Sequence, residues 1–353
     1  MAGNADLRAA KKAKKDEFYT QYEDIQSEVN AYLEYNPDVF KGKTVLLPCD
    51  DPEWSNFTKF FAQNFENFGL KKLISTSFAY ESKSFKEGYQ LSIFEMESPQ
   101  FDEDKTNTRG KIFTLTKDSN KSGMIDIDDL EWQYLEGDGD FRSDEVKALR
   151  DEADIIVTNP PFSLYREFMD WLFEEEKQFL VIANKNSITC KEIFSLIKKN
   201  KMWSGKTSWG GGMWFETKDA NDVDRVINGV NMKNVATTWF TNIEHGKRHE
   251  PLSLMTMADN LKFSKHAVIK EVGYQKYDNY DAIDVPYTDA IPSDYDGIMG
   301  VPVTFLEKYC PEQFEIISLA ASHGKEPKGI ENEAGYINGK WVYARILIRK
   351  RVQ

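Results

Sequence analysis

Asp154-Ile155-Ile156-Val157-Thr158-Asn159-Pro160-Pro161-Phe162 decides how this chain is read. Ile155 to Thr158 is an unbroken run of apolar or β-branched residues, the pattern of a short strand covered on both faces in a parallel sheet. Two prolines then stop it, because neither can donate to a ladder. A residue that precedes proline is held extended, so Asn159 projects from a fixed backbone at the strand's carboxyl end. The carbonyls of Asn159 and Pro160 have no following amide N–H to compete for them. The outcome is a small rigid set of acceptors beside Phe162; the plain alternative is a tight turn with a core phenylalanine.

Working outward, strands are expected near Thr44 to Leu47, Leu73 to Thr76, Phe179 to Ala183 and Ala236 to Thr241, alternating with helical patterns at Trp54 to Phe68 and Leu164 to Glu175. That alternation predicts an α/β fold, a mostly parallel sheet with helices on both faces. Ligands bind such sheets outside the strand carboxyl ends, where Pro48-Cys49-Asp50, Asp140-Phe141 and Asn159 to Phe162 would converge. In the Trp54 to Phe68 segment, Trp54, Phe57, Phe61, Phe65 and Phe68 recur at helical spacing and read as a core face. Asp51 is the expected N-cap, with Pro52 at the first helical position and Gly69 at the end. No glycine occurs from Pro48 to Asn67, which argues against a dehydrogenase-type dinucleotide loop.

Acceptors on a rigid loop beside an aromatic ring suit an exocyclic amine on an aromatic ring, because they can hold its N–H bonds while the ring stacks. Adenine has that chemistry. Asn159-Pro160-Pro161-Phe162 resembles the catalytic motif of S-adenosylmethionine-dependent amino-methyltransferases that act on adenine N6. Two further segments are similar to parts of such enzymes. Leu135-Glu136-Gly137-Asp138-Gly139-Asp140-Phe141 resembles their Asp-Phe cofactor motif, which implies that Asp140 accepts from the amino group of the cofactor's adenine and that Phe141 packs on that ring. Lys15-Asp16-Glu17-Phe18-Tyr19-Thr20-Gln21-Tyr22 resembles the Phe-Tyr-Thr segment that lies over the cofactor. As plain residues, the first is an acidic turn and the second opens an amphipathic helix through Ile25, Val29 and Leu33.

Val45-Leu46-Leu47-Pro48-Cys49-Asp50-Asp51-Pro52-Glu53 resembles the cofactor loop of one branch, the EcoRI-type adenine-specific DNA methyltransferases. The likeness extends through Phe179 to Thr189, Lys191 to Phe194, Trp239 to Asn242, His245 to Leu252, Asp294 to Pro302 and Gly335 to Lys340, so it covers nearly the whole chain. It implies a class I, Rossmann-like methyltransferase core with a C-terminal target-recognition region. The core is expected over residues 1–241 and the recognition region over 242–353. It also implies S-adenosylmethionine as cofactor, held by Phe18, Tyr19, Thr20, Pro48, Cys49, Asp50, Asp140 and Phe141. Double-stranded DNA is the implied substrate, with the target adenine flipped out of the helix.

Bulk properties bear on partners. At 353 residues the chain has room for one large domain and an added region. Its three cysteines, Cys49, Cys190 and Cys310, are far apart, which suits reduced thiols in a cytoplasmic setting. No apolar run approaches the roughly 18 residues of a membrane span, and no membrane partner is expected. A net charge of −13 has the wrong overall sign for gripping phosphates, so local clusters must compensate. Candidates are Arg8 to Lys15; Lys185, Lys191, Lys198, Lys199, Lys201 and Lys206; Lys247 and Arg248; and Arg345 to Arg351. Lys185, Asn186, Lys247, Arg248 and His249 are the expected DNA contacts. His245 and His249 lack companions for a zinc site, which needs about four ligands, and no metal is expected. Ser208-Trp209-Gly210-Gly211-Gly212-Met213 lacks the lysine and hydroxyl of a phosphate loop and reads as a turn into a strand.

The reading is a monomeric enzyme that methylates adenine N6 in a specific DNA sequence. The same fold with an Asn-Pro-Pro motif also serves RNA and protein-glutamine methyltransferases, and the glycine-free loop leaves a catalytically silent DNA-binding protein as the alternative of a different class.

Overall fold

The computed structural model describes residues 19–50, 55–79, 101–119, 121–125, 129–217, 221–322 and 332–351. They form two compact units, the first from those within 1–184 and 210–243, the second from those within 185–209 and 244–353.

The first unit is built on strands β1 (Thr44–Leu47), β2 (Lys72–Ser77), β3 (Lys111–Leu115), β4 (Glu131–Tyr134), β5 (Ile155–Thr158), β6 (Gln178–Asn184) and β7 (Thr237–Thr241). Their spatial order is β4-β3-β2-β1-β5-β6-β7. The central four pair in parallel, and β3, β4 and β7 add antiparallel flanks. Alternation across the pleat decides what each face buries. Val45, Leu47, Leu73, Ile155, Val157, Leu180 and Ile182 join one cluster with Ile25, Val29 and Tyr32 of helix Tyr22–Tyr35 and with Phe57, Phe60 and Phe61 of helix Asn56–Gln63. Leu46, Ile74, Ile156 and Val181 point the other way and are equally buried, so the central strands are covered on both faces, as their continuous apolar runs require.

The five strands expected from the sequence form within one or two residues of their expected bounds. The helix expected over Trp54 to Phe68 does not run through. It starts at Asn56, where Ser55 Oγ caps by accepting from the Phe57 N–H at 3.1 Å, and it breaks at Asn64 before a single turn, Phe65–Phe68. Ser55 thus takes the capping role expected of Asp51; residues 51–54 lie outside those described. Gly69 closes the segment in the left-handed conformation at φ +63°, as a C-terminal glycine should. Tyr19–Thr20 is not a first helical turn but a strand, which pairs with Met213–Glu216 in a small antiparallel sheet completed by Val230–Val235 and Arg225–Ile227. Phe18 lies outside the described residues.

The second unit carries a five-stranded sheet in the order Ala282–Asp284, Ile298–Pro302, Arg345–Lys350, Phe314–Ser322, Asn332–Glu333, and a helix over Lys191–Lys198. Residues 185–209 are grouped with this unit, although Trp203–Ser204 is the edge strand next to β7 in the large sheet.

Candidate active site

Strand order reverses at β1, since β2 lies on one side of it and β5 on the other. The crevice outside the carboxyl ends of β1 and β5 is therefore the place where this architecture binds ligands. Pro48-Cys49-Asp50 leaves β1 there and Asn159-Pro160-Pro161-Phe162 leaves β5 there, so the two segments singled out in the sequence meet at the switch point.

Asp50 joins them. Its carboxylate is 6% exposed and accepts from Thr158 Oγ1 at 2.6 Å on Oδ2 and from Ser55 Oγ at 2.9 Å on Oδ1. Hydroxyls of β2 hold the same loop from the other side: Ser75 Oγ donates to the Asp50 carbonyl at 2.6 Å and Thr76 Oγ1 to the Pro48 carbonyl at 2.9 Å. A loop without glycine is thus fixed by four short hydroxyl bonds, and charge-assisted bonds to a buried carboxylate are the stronger kind. The Asn56 side chain, next along, donates to the Thr20 carbonyl at 2.8 Å and ties the amino-terminal strand to the same corner.

After the fully buried Thr158, Asn159 is half-buried, Pro160 buried, and Pro161 and Phe162 half-buried. A 3-10 turn, Phe162–Leu164, follows directly, closed by the Leu164 N–H on the Pro161 carbonyl at 2.9 Å. Phe162 rests on the main core cluster, which anchors one side of its ring.

The Asp-Phe loop approaches the carboxyl end of β2. The Ala79 N–H donates to the Asp138 carbonyl at 2.8 Å and the Gly110 N–H to the Gly137 carbonyl at 2.9 Å. Gly139 has φ +83°, and a Cβ there would stand 2.3 Å from the Ser77 carbonyl oxygen, so backbone packs directly on backbone. Glu145 fixes the loop's other side by accepting from the Glu136 and Gly137 N–H groups at 3.0–3.1 Å. What reads in sequence as an acidic turn is a braced one.

Asp140 is gripped by Arg142. The guanidinium donates to both carboxylate oxygens, at 2.9 and 2.6 Å, the Arg142 N–H adds a third bond at 2.8 Å, and a further guanidinium nitrogen reaches Glu167 at 2.9 Å. Burial alone would push the Asp140 carboxyl up; the bonds and charge of Arg142 outweigh it and hold the group below the usual carboxylate range. Arg142 is raised in turn, chiefly by its bond to Asp140. Phe141 is 4% exposed, with its ring packed edge-on against Phe168 and Trp171 of helix Tyr165–Phe173. In this arrangement it anchors the loop. Arg142 and Glu167 escaped the sequence reading; a cation two residues after a key carboxylate was the available signal.

The cationic segment of the second unit sits differently from expectation. Arg248 is 4% exposed, its guanidinium lying 3.7 Å from the Trp203 ring centroid, 3.0 Å from Glu244 and bonded to the Asn200 side chain. Lys247 reaches Glu307 at 3.3 Å and the Lys206 carbonyl at 3.0 Å. His249 bridges Glu244 and Glu312 at 3.0 and 2.9 Å. The buried His245 bonds the Ser204 carbonyl at 3.0 Å. Arg248, Lys247 and His245 thus brace the Asn200 to Trp209 loop, and the carboxylates of Glu244, Glu307 and Glu312 face this segment. Lys185 turns its ammonium to the Trp209 carbonyl, whereas Asn186 is exposed. Among the described residues no cluster of His, Cys, Asp and Glu could hold a metal, and no helix is long and apolar enough to cross a membrane.

Comparison with known proteins gives an independent measure. The family described as "Adenine-specific methyltransferase EcoRI" matches residues 6–351. The chain is 42% identical to Type II methyltransferase M.EcoRI of Escherichia coli, with all of both chains covered. It is 34% identical to M.MpnI of Mycoplasma pneumoniae, over 97% of each chain, and 34% identical to M.MgeORF184P of Mycoplasma genitalium, over 97% and 98%. No solved structure matches.

Proposed function

The chain belongs to the EcoRI family of adenine-specific methyltransferases, and from that premise we propose a residue-level account of its reaction. It is a site-specific DNA methyltransferase that modifies N6 of adenine, of the type II restriction-modification kind. The donor in this account is S-adenosylmethionine, whose sulfonium supplies an activated methyl group when bound. The residues outside the carboxyl ends of β1 and β2 suit it: a half-buried Asp140 carboxylate is an acceptor for an adenine amine, and it stands on a loop braced against the end of β2. Phe141 positions that loop, and Pro48, Cys49, Asp50 and the Phe18-Tyr19-Thr20 segment complete the cofactor side.

On the substrate side, the amino nitrogen of adenine is a poor nucleophile because its lone pair is delocalised into the ring. The Asn159 side chain and the Pro160 carbonyl accept its two N–H bonds and bias it toward a tetrahedral geometry, while Phe162 stacks on the base and Pro161 stiffens the loop. Alignment and exclusion of water then supply most of the catalysis. A base inside a duplex is out of reach, so the target is flipped out. Catalysis belongs to residues 1–241 and target recognition to 242–353, in a monomer acting on double-stranded DNA.

The observation that carries this account is the Asp50–Thr158 bond at 2.6 Å, which locks the cofactor loop to the strand that presents Asn159. Calorimetric titration with S-adenosylmethionine, together with modification-aware sequencing of DNA from a host expressing the chain, tests it. Saturable cofactor binding with N6-methyladenine in one recurring sequence is expected. Absence of cofactor binding would leave a DNA-binding protein without catalysis.

A further inference from the structure

Resting on the reading that the substrate is DNA, we propose that Lys198, Lys199 and Lys201 form the phosphate-gripping surface of the second unit, and that Arg248 is the buried strut that holds them in place. The chain's charge of −13 makes local cation density the deciding quantity. From Lys191 to Lys206 there are five lysines against one acidic residue, Glu192. Lys198, Lys199 and Lys201 are exposed. A second cationic segment, Lys247 to His249, is turned inward and faced by Glu244, Glu307 and Glu312.

The geometry of the lysine turn is built rather than loose. Helix Lys191–Lys198 ends in a closed C-terminal turn: the Asn200 N–H donates to the Ile197 carbonyl at 3.0 Å and the Lys201 N–H to the Leu196 carbonyl at 2.9 Å. Asn200 takes the left-handed conformation at φ +59° that this motif requires. Its side-chain oxygen accepts from the Arg248 guanidinium, which itself stacks on Trp203 two residues beyond Lys201. Trp209 Nε1 donates to Ser204 Oγ at 2.8 Å and the Trp209 N–H to Glu307 at 3.0 Å, fixing the far end of the loop. The backbone that carries the three lysines is thereby held on one short turn, so only their side chains need ordering when they meet a phosphate backbone.

The test uses the full chain and the triple variant Lys198→Ala/Lys199→Ala/Lys201→Ala, with binding to an unmodified duplex measured across a salt series and S-adenosylmethionine affinity measured in parallel. Each neutralised phosphate contributes roughly 0.9 to the slope of log affinity against log salt. The variant is expected to flatten that slope by roughly 2 to 3 units, and a Lys-to-Arg triple variant to keep it. A slope unchanged from the parent overturns the proposal while leaving the methyltransferase reading intact. A parent chain that binds cofactor but no duplex overturns the DNA reading, and the proposal with it. A far-UV circular dichroism spectrum and a denaturation midpoint equal to the parent's, together with unchanged cofactor affinity, exclude misfolding as the cause of a flattened slope.

Discussion

Thr158 Oγ1 donates to Asp50 Oδ2 at 2.6 Å, joining the last residue of β5 to the loop after β1 across 108 positions of sequence. Both partners are buried, and Asn159 is the next residue, so any movement of this bond moves the asparagine proposed to hold the target amine. Thr158→Val keeps the shape of the side chain and removes the donor. Leaving a buried carboxylate short of one hydrogen bond costs about 1–3 kcal/mol, seen as a lower denaturation midpoint. Single-turnover methyl transfer, measured well below that midpoint, should fall at least about tenfold through misplacement, and Thr158→Ser should restore it. A variant with reduced stability and full single-turnover rate would make the bond structural only.

Asn159→Ala separates the two halves of the site. The Asn159 side chain is proposed for the target amine, and Asp50, not Asn159, holds the loop proposed for the cofactor. Methyl transfer should be lost, with S-adenosylmethionine affinity by calorimetry staying within a few-fold of the parent. Retained transfer would move the acceptor role elsewhere in the loop.

How much of this was legible in sequence depends on the reach of the forces involved. The strands Thr44–Leu47 and Ile155–Thr158, the Gly69 stop and the turn at Gly211 and Gly212 follow from local patterns, because apolar runs and left-handed glycines are decided within a few residues. β3 and β4 were missed; β4, Glu131–Tyr134, is only four residues long and alternates exposed with half-buried, a weak signal beside an acidic stretch. The bracing of Gly139 on Ser77 is invisible in sequence, since it depends on two backbones meeting from distant segments. Arg248 shows the largest gap. A cation beside another cation reads as a solvated face, and only Trp203, Asn200 and Glu244, drawn from separate segments, make its burial possible.

Asp140 and Arg142 predict a pH effect. Because the Asp140 carboxyl is held below its ordinary range, the pair's contribution to stability is present above the unfolded-state value of about 4. It is lost only as pH falls through the lower folded value. In Arg142→Ala the opposing influences vanish and burial remains, so the carboxyl should titrate upward. Carbon-detected NMR of Asp140 should show that rise. Cofactor affinity in the variant should begin to weaken at a higher pH than in the parent. Identical titration of Asp140 in both proteins would dismiss the pair as the cause.

Arg248→Ala tests the inward-facing segment against the idea that it touches DNA. A phosphate contact at Arg248 would make the substitution flatten the salt dependence of duplex binding by roughly one unit with little effect on folding. The buried position predicts the reverse. Removing a desolvated guanidinium stacked 3.7 Å from the Trp203 ring should cost about 2 kcal/mol of stability, from the lost cation–π contact and the packing of its stem. Three carboxylates around the site would then face one fewer cation. Denaturant melts and salt titrations on the same variant separate the two. A stable variant with a flattened slope would place Arg248 at the phosphates, and a destabilised one keeps it as the support of the Asn200 to Trp209 loop, whether its slope stays the parent's or flattens as the lysine turn loosens.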